Sequence, residues 1–536
     1  MSHKVIETDV LVVGGGNAGF SAAISAAESG ARQVLLIDAA SEQWAGGNSY
    51  FTAGAFRTVH NGLEDLLPIV NNVPDEKRDK IDVKPYTEAD FAGDIKRICL
   101  GRADPELAGI LVRESNEAIK WLAKHGVRYQ LSFNRQAYEV DGRIKFWGGL
   151  ALKTEDGGKG LIEDHRRAAA KLGVQVAFST AAKNLIIDPQ SSRVNGVVAQ
   201  GPEGRVQEIR AGAVILTAGG FEANPRLRAQ YLGPTWDFAK VRGTPFNNGT
   251  CLEMAIQQAG AKQAGNWSGC HSVAWDANAP ANSGDRIISN EFTKSGYPLG
   301  LMLNRDGNRF VDEGVDLRNY TYAIFGKAIL AQPGHFAFQV WDSQGIPWLR
   351  SEEYRDEVVE RIQADTIEEL AQKLTGHGLS NTVQFIDTIT TYNEAAEAFR
   401  GENPGKSWDP SVKDGLSTQS GRKRLPLPKS NWALPLNQGP YLAVKVTCGV
   451  TFTFGGLAVE PETSAVLSSI TNQPIPGLYT AGEMLGGIFY DNYPGGSGLT
   501  SGAVFGRRAG RAATQSLHTS ISEIQKPIYS TIGAKL

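Results

Sequence analysis

Asp9-Val-Leu-Val-Val-Gly14-Gly15-Gly16-Asn17-Ala18-Gly19, answered by Val34-Leu-Leu-Ile37-Asp38, decides the fold of this chain. An apolar run of strand type leads into Gly14, Gly16 and Gly19 at G-x-G-x-x-G spacing. A small-residue helix (Ser21 to Ser29) follows, then a second apolar strand ending in an acid. Together they form a βαβ unit of about 30 residues, the setting in which the glycine pattern is informative. The first glycine makes the tight turn, the second admits a pyrophosphate, and the third lets helix pack on strand. The helix N-terminus offers free N–H groups and a positive dipole end, and Asn17 and Ala18 sit on it. Asp38 is placed to accept from a ribose diol, which favours an unphosphorylated ribose. The plain alternative is a glycine-rich strand–helix turn with no ligand.

A length of 536 residues implies two or more domains. The net charge of −3 comes with no basic stripe, which argues against a nucleic-acid partner; Arg422-Lys423-Arg424 reads as a solvated loop. Cys99, Cys251, Cys270 and Cys448 are far apart and form no metal-binding or redox spacing, so no metal site is expected. Free thiols in a reducing compartment are the plain reading. No apolar run approaches the ~18 residues of a membrane span. The first strand begins almost at Met1, which argues against a cleaved signal. Ala534-Lys535-Leu536 is one conservative change from a peroxisomal address, so the expected location is peroxisomal in a eukaryote and cytoplasmic otherwise.

Further along, residues 87–126 read as helical, with Gly126 at the C′ position, and Leu161 to Leu172 as a helix stopped by Gly173. Val174 to Phe178, Ala182 to Ile187 and Gly196 to Gln200 read as strands, with Asn195-Gly196 as a hairpin turn. The buried strand Ala211 to Ala218 runs into Gly219-Gly220 and could return to the first sheet. From about Asp237 to Pro435 helices and irregular segments dominate. The glycine-rich texture then returns in Gly477 to Glu483 and in Tyr493-Pro-Gly-Gly-Ser497-Gly498-Leu499-Thr500. The expected class is therefore α/β: a Rossmann-like, glutathione-reductase-like FAD-binding domain made from both ends of the chain (1–236 and 436–536), with an inserted α+β capping domain (237–435). A substrate cleft is expected between them. FAD is the expected dinucleotide, because its ribityl and isoalloxazine reach far enough to recruit the C-terminal glycine helix, whereas an NAD domain needs only the first element.

At this point the chain resembles the flavoprotein superfamily of fumarate reductase, succinate dehydrogenase and 3-ketosteroid dehydrogenase. Its nearest resemblance there is to the tricarballylate-dehydrogenase-like branch. The resemblance covers nearly the whole chain and rests on Gly14 to Gly19 with Asp38, Gly46-Gly47-Asn48-Ser49, Ala218-Gly219-Gly220, Arg309-Phe-Val-Asp-Glu313 leading to Arg318-Asn-Tyr320, Ala481-Gly482-Glu483, and Tyr493 to Thr500. It implies that Gly46 to Ser49 wrap the pyrophosphate and flank the flavin. It also implies that Ala182 and Ala218 to Gly220 line the cofactor site, that Gly482-Glu483 meets a ribityl hydroxyl, and that Ser497 to Thr500 aim a helix N-terminus at the flavin N1/C2=O edge. Covalent flavin in this superfamily uses a histidine at the position of Asn48, so non-covalent FAD is expected.

The resemblance further implies hydride exchange between flavin N5 and a carbon beside one activated by carboxylate or carbonyl. A small-molecule acid or carbonyl compound, bulkier than fumarate or succinate, is the expected substrate; the electron partner is open. Arg318 matches a proton-donating arginine, and its alternatives are a carboxylate clamp or a structural ion pair. Tyr320 and Tyr322 are alternative bases. His271 matches a substrate-binding histidine, and Arg242 faces either substrate or an interdomain ion pair. Where fumarate reductases carry a second histidine and a carboxylate-binding arginine, this chain has the Thr451-Phe452-Thr453-Phe454 run and Tyr493. That exchange disfavours a small dicarboxylate, and Trp147, Phe489 and Tyr490 are candidates for an aromatic wall. The first functional reading is an FAD-dependent dehydrogenase of CH–CH bonds. Its alternatives are an ene reductase, an oxygen-using oxidase and a flavin-holding protein without turnover.

Overall fold

In the computed structural model, which describes residues 4–524, the strand Lys4–Val13 lies at the centre of an eight-stranded sheet. It pairs in parallel with Val34–Ile37 on one side and Val206–Leu216 on the other. Val10, Leu11 and Val12 are fully buried because both faces are covered: Val10 and Val12 pack with the helices Asn17–Glu28 and Ser497–Ile524, and Leu11 lies in a second core with Leu185, Val197 and Leu252. Val206–Leu216 also pairs in parallel with Pro474–Thr480, Val214 opposite Leu478, so the two ends of the chain meet in one sheet. The N-terminal helix Asn17–Glu28 packs along the C-terminal helix Ser497–Ile524. The seam is small by necessity: a Cβ on Gly506 would lie 2.5 Å from the Ala18 carbonyl oxygen, and one on Gly510 2.2 Å from that of Ala22. Asn17 bolts the helix starts together, donating to the Leu499 carbonyl at 2.8 Å while its own carbonyl meets His165 Nε2 at 2.9 Å.

Three expectations change. Asn195-Gly196 is no turn: both residues lie inside the strand Val194–Gln200. Its hairpin with Ala181–Ile187 closes instead over 188–193, where Asp188 accepts from the backbone N–H of Gln190 and Ser191. Gly196 is needed for close approach, since a Cβ there would sit 2.0 Å from the Ile209 carbonyl oxygen. The helical run 87–126 is two helices, Glu88–Ile98 and Pro105–Lys124. The break carries Leu100 and Gly101 at positive φ, and Asp104 then caps a helix whose first residue is proline.

The third change concerns the cap. A second sheet gathers Lys240–Val241, Gln263–Asp276, Leu301–Asn304, Ala337–Trp341 and Ile362–Ala364 around the long strand Tyr441–Leu457. That strand pairs directly with four of them. Residues 441–457 thus complete the second sheet, past the boundary expected at 435. A continuous buried apolar run reads alike in either sheet, so its partner was not legible from periodicity. The helices Ile367–Thr375 and Thr382–Glu402 share one hydrophobic core with this sheet. The ribbon Gln263–Asp276/Tyr441–Leu457 runs down to the first domain, where Leu457 bridges Leu485. Among the described residues no helix is long and apolar enough to cross a membrane. The Ala534-Lys535-Leu536 tripeptide lies outside the described residues.

Candidate active site and cofactor cradle

The glycine turns of the first sheet and the ribbon of the second open on one shared cavity of about 450 Å³. Of the cofactor residues expected from sequence, Gly14, Gly16, Asn17, Ala18, Asp38, Gly47, Asn48, Ser49, Ala182, Ala218, Gly219, Gly220, Gly482, Glu483, Gly498 and Leu499 line it. Gly19, Gly46, Ser497 and Thr500 lie behind the wall and shape it. A Cβ on Gly19 would fall 1.9 Å from the Gly14 carbonyl oxygen. Ser497 donates to the Pro494 carbonyl at 2.6 Å and Thr500 to the Arg57 carbonyl at 2.7 Å.

The helix Asn17–Glu28 starts from Gly16 in extended conformation, a residue with no side chain to cap it, and the Asn17 N–H bonds the Ser49 hydroxyl at 3.0 Å. A helix start whose N-cap is a glycine, opening on a glycine-lined cavity, is an anion's place. Asp38 is buried and accepts from Gly15 N–H and Ala40 N–H, each at 2.8 Å. Burial raises its pKa against those two bonds. The donor set therefore suits a dinucleotide pyrophosphate with an acid beside its ribose.

A buried carboxyl pair stands beside this cradle. Glu483 Oε1 accepts from Thr453 N at 2.7 Å and from the Thr453 hydroxyl at 3.0 Å. Glu222 accepts from Asn247 Nδ2 at 2.7 Å and from Asn48 Nδ2. Burial, then the Glu483 charge, pushes the Glu222 carboxyl well above its usual range. Burial raises the Glu483 carboxyl as well, opposed by its neighbour Glu222 and by the Thr453 donors, while Glu222 Oε2 has no hydrogen-bond partner; protonation of Glu222 relieves the repulsion of two buried carboxylates. Asn48 is fully committed: it also donates to the Thr451 carbonyl at 2.5 Å and accepts from Thr244 N at 2.9 Å. Sequence reasoning missed Glu222; its place two residues after Gly220 was the only signal.

The remaining wall carries the reactive side chains. Arg242, His271, Tyr322, Thr451, Phe452 and Tyr493 all line the cavity. The Arg242 guanidinium is buried, bonds Thr451 Oγ1 at 3.3 Å and lies 5.5 Å from the Trp275 ring centroid. Its Nε has no partner, and it makes no ion pair among the described residues. Burial lowers its pKa, and Tyr493 chiefly opposes this. His271 packs edge-on to Tyr493 with centroids 4.7 Å apart, and its Nδ1 is unpartnered. Burial, then the Arg242 charge, holds this imidazole well below its ordinary value, so it is neutral near pH 7. Burial pushes the Tyr493 phenol up to about 12, against the Arg242 charge and the Gly496 N–H.

Arg318 and Tyr320 do not reach this cavity. Arg318 is buried beside the rings of Tyr138 and Trp147, 5.4 and 5.0 Å from their centroids, in a separate small pocket. The Tyr320 hydroxyl donates to Asp94 at 2.6 Å beside Arg57, which itself holds the Gly495 carbonyl at 2.9 Å. Tyr320 thus belongs to the polar cluster that shapes the C-terminal glycine turn. Trp147 stands with Arg318, and Phe489 backs Tyr493 from the core (5.4 Å between centroids). Tyr490 covers Arg102 instead.

A family model described as an FAD binding domain matches residues 9–499. A probable fumarate reductase, Ifc3, of Shewanella frigidimarina is 29% identical over 510 residues, covering 95% of this chain and 75% of the relative. A vinyl phenol reductase of Lactiplantibacillus plantarum is 27% identical over 535 residues, covering 95% and 97%. Among solved structures, the open conformation of a flavocytochrome c3 fumarate reductase superposes with a TM-score of 0.69 at 26% identity, covering 95% of this chain and 78% of that one.

Proposed function

The chain belongs to the FAD-binding-domain family, within the fumarate reductase/succinate dehydrogenase flavoprotein superfamily, and is an FAD-dependent oxidoreductase; we propose that it reduces a C=C bond conjugated to a single carboxylate. The observation that carries this reading is Arg242: a buried guanidinium, lacking any ion pair among the described residues, that faces the cavity beside a neutral histidine and a phenol. A buried cation without a partner is costly, and a substrate carboxylate supplies that partner.

Gly14 to Ala18, Asp38, Gly47 to Ser49, Ala218 to Gly220, Glu483, Gly498 and Leu499 would hold FAD. When bound, FAD supplies two-electron exchange with a substrate carbon. Binding without a covalent bond is favoured by Asn48, a carboxamide with no nucleophilic ring nitrogen and with both polar atoms already bonded. Arg242 clamps the carboxylate, and the two together withdraw electron density from the C=C bond as charge builds on it. His271, uncharged, hydrogen-bonds a carboxylate or carbonyl oxygen through whichever nitrogen carries its proton. Phe452 helps exclude water.

The Tyr493 hydroxyl gives its proton to the α-carbon and regains one from solvent. Its raised pKa leaves it in the acid form near pH 7, which favours the reductive direction, the alternative in the sequence reading. Tyr493 also packs against the C-terminal glycine turn, 3.6 Å from the place of a Cβ on Gly498, so it stands between the cradle and the Arg242 clamp. With one guanidinium free at this wall, a monocarboxylate fits better than fumarate. The relatives similar to this chain include reductases of both kinds, named for fumarate and for vinyl phenol.

The test is anaerobic: reduced methyl viologen as donor, with trans-2-hexenoate and fumarate as competing acceptors of the flavin-loaded enzyme. Faster viologen oxidation by hexenoate supports the reading. Preference for fumarate, or reduction of a dye by hexanoate with no reaction of either alkene, overturns it.

A further inference from the structure

Four buried polar atoms without hydrogen-bond partners belong to residues that line the same cavity and that the proposed chemistry does not use. They are Arg135 Nη1, Gln136 Oε1, Asn290 Oδ1 and the Thr293 hydroxyl. Other unpartnered atoms, such as Ser21 Oγ, the Tyr129 hydroxyl and Trp267 Nε1, belong to residues that do not line the cavity. The four come from two segments far apart in sequence. Arg135 and Gln136 sit on the short helix Phe133–Gln136, tied down by backbone bonds to the Ser132 carbonyl at 3.2 and 2.9 Å. Asn290 belongs to the 3₁₀ turn Ser289–Phe292, and Thr293 follows it, its backbone N–H on the Asn290 carbonyl and its strand bridge to Trp275. Arg135, Gln136 and Thr293 are each more than nine-tenths buried. Native proteins satisfy almost all such groups, so four residues with an unbonded polar atom on the lining of one cavity mark where a ligand's polar group belongs.

Their chemistry narrows the ligand. Arg135 is already neutralised in part: its Nη2 meets Glu353 at 2.9 Å, Glu353 also holds Arg350 at 3.0 Å, and Arg135 Nη1 lies 3.7 Å from Glu352 without a hydrogen bond. That leaves Nη1 as a hydrogen-bond donor. Gln136 Oε1 and Asn290 Oδ1 are acceptors, and the Thr293 hydroxyl serves either way. A second carboxylate would face two carbonyl oxygens and gain little. A hydroxyl both accepts from Arg135 and donates to an amide oxygen.

We propose that Arg135, Gln136, Asn290 and Thr293 form a specificity subsite for a hydroxyl on the substrate's far end, making the preferred substrate a hydroxylated enoic monocarboxylic acid. This rests on the reading of Arg242 as the carboxylate clamp, and the test separates the two. Isothermal titration of the flavin-loaded protein uses three chain-matched probes: trans-2-hexenoate, 6-hydroxy-trans-2-hexenoate and trans-2-hexenedioate. The hydroxy acid should bind at least ~10-fold tighter than hexenoate, because the analogue lacking the group leaves buried partners unpaired. Gln136→Leu, and independently Asn290→Leu from the opposite segment, should each shrink that preference to threefold or less. Arg242→Gln should instead weaken the hydroxy acid and hexenoate alike. Equal binding of the two in the unaltered protein, or tightest binding of the dioate, overturns the subsite while leaving the clamp standing. Probe binding that ignores Arg242→Gln overturns the clamp, and failure of all three probes to bind refutes both.

Discussion

Replacing Arg242 by Met separates a ligand-binding arginine from a structural one, because the two roles predict opposite signs. The long apolar stem of Met keeps the packing over Trp275 and removes the charge. In the ligand-free protein the guanidinium gains one bond, to Thr451 Oγ1 at 3.3 Å, and leaves Nε unpartnered. Thr451 keeps its own bond to the Arg242 backbone carbonyl at 3.2 Å, which the substitution does not touch. Removing a buried charge that has no counter-ion should therefore leave stability unchanged or raise it by about 1–2 kcal/mol. At about 2.1 cal/mol/K per residue of unfolding entropy, a chain of 536 residues moves about 1 °C in Tm per kcal/mol, so the melt should hold or rise by about 1–2 °C. Affinity should move the other way. Two charge-assisted bonds to a carboxylate, at about 1.5–3 kcal/mol each, put the loss at about 3 kcal/mol or more, roughly 10²-fold in Kd. Differential scanning calorimetry and hexenoate titration on the same preparation read both quantities. A Tm lowered by several degrees with hexenoate affinity intact would make Arg242 a structural residue and remove the basis of the proposed function.

Tyr493→Phe should lower the rate of enoate reduction by about 10²- to 10⁴-fold while leaving hexenoate Kd within a few-fold, read by stopped-flow and titration; near-normal turnover removes Tyr493 as the proton source. Glu222→Gln copies the protonated acid's shape, with an amide N–H in place of the O–H. Because the Glu222 pKa is raised in the folded chain, its contribution is present below the unfolded carboxyl value and lost as pH rises toward the folded one. The variant should gain urea stability over the parent at pH 7–8 and show a flatter pH dependence; a loss at pH 8 would mean that Glu222 is ionised. Gly506→Ala and Gly93→Ala form a matched pair. The first drives a Cβ to 2.5 Å from the Ala18 carbonyl oxygen and should cost about 1–3 kcal/mol, with weaker retention of flavin absorbance through purification. The second meets nothing within 4 Å inside the helix Glu88–Ile98 and should stabilise by about 0.5–1 kcal/mol, both read as urea midpoints.

The cradle was legible in the sequence because its chemistry is backbone chemistry. A glycine is written into the chain wherever two backbones or a phosphate must come close, so Gly14 to Gly19, Gly219-Gly220 and the Tyr493 to Thr500 loop announce themselves at fixed spacing. Asp38 follows because the strand that carries it follows. The opposite wall was harder for a physical reason: its side chains converge from segments whose spacing follows from the second sheet's topology. His271 and Arg242 are adjacent there only because Gln263–Asp276 and Lys240–Val241 both pair with Tyr441–Leu457, a strand that periodicity could not assign to either sheet. Arg135, Gln136, Asn290 and Thr293 carry no motif, since they come from two short segments far apart in sequence. Arg318 shows the converse. Its sequence context matched a catalytic position, yet the side chain rests between Tyr138 and Trp147, one pocket away from Tyr493 and the cavity. The proposed substrate thus follows from a pattern of unmet hydrogen bonds that exists only once these distant segments fold around one cavity.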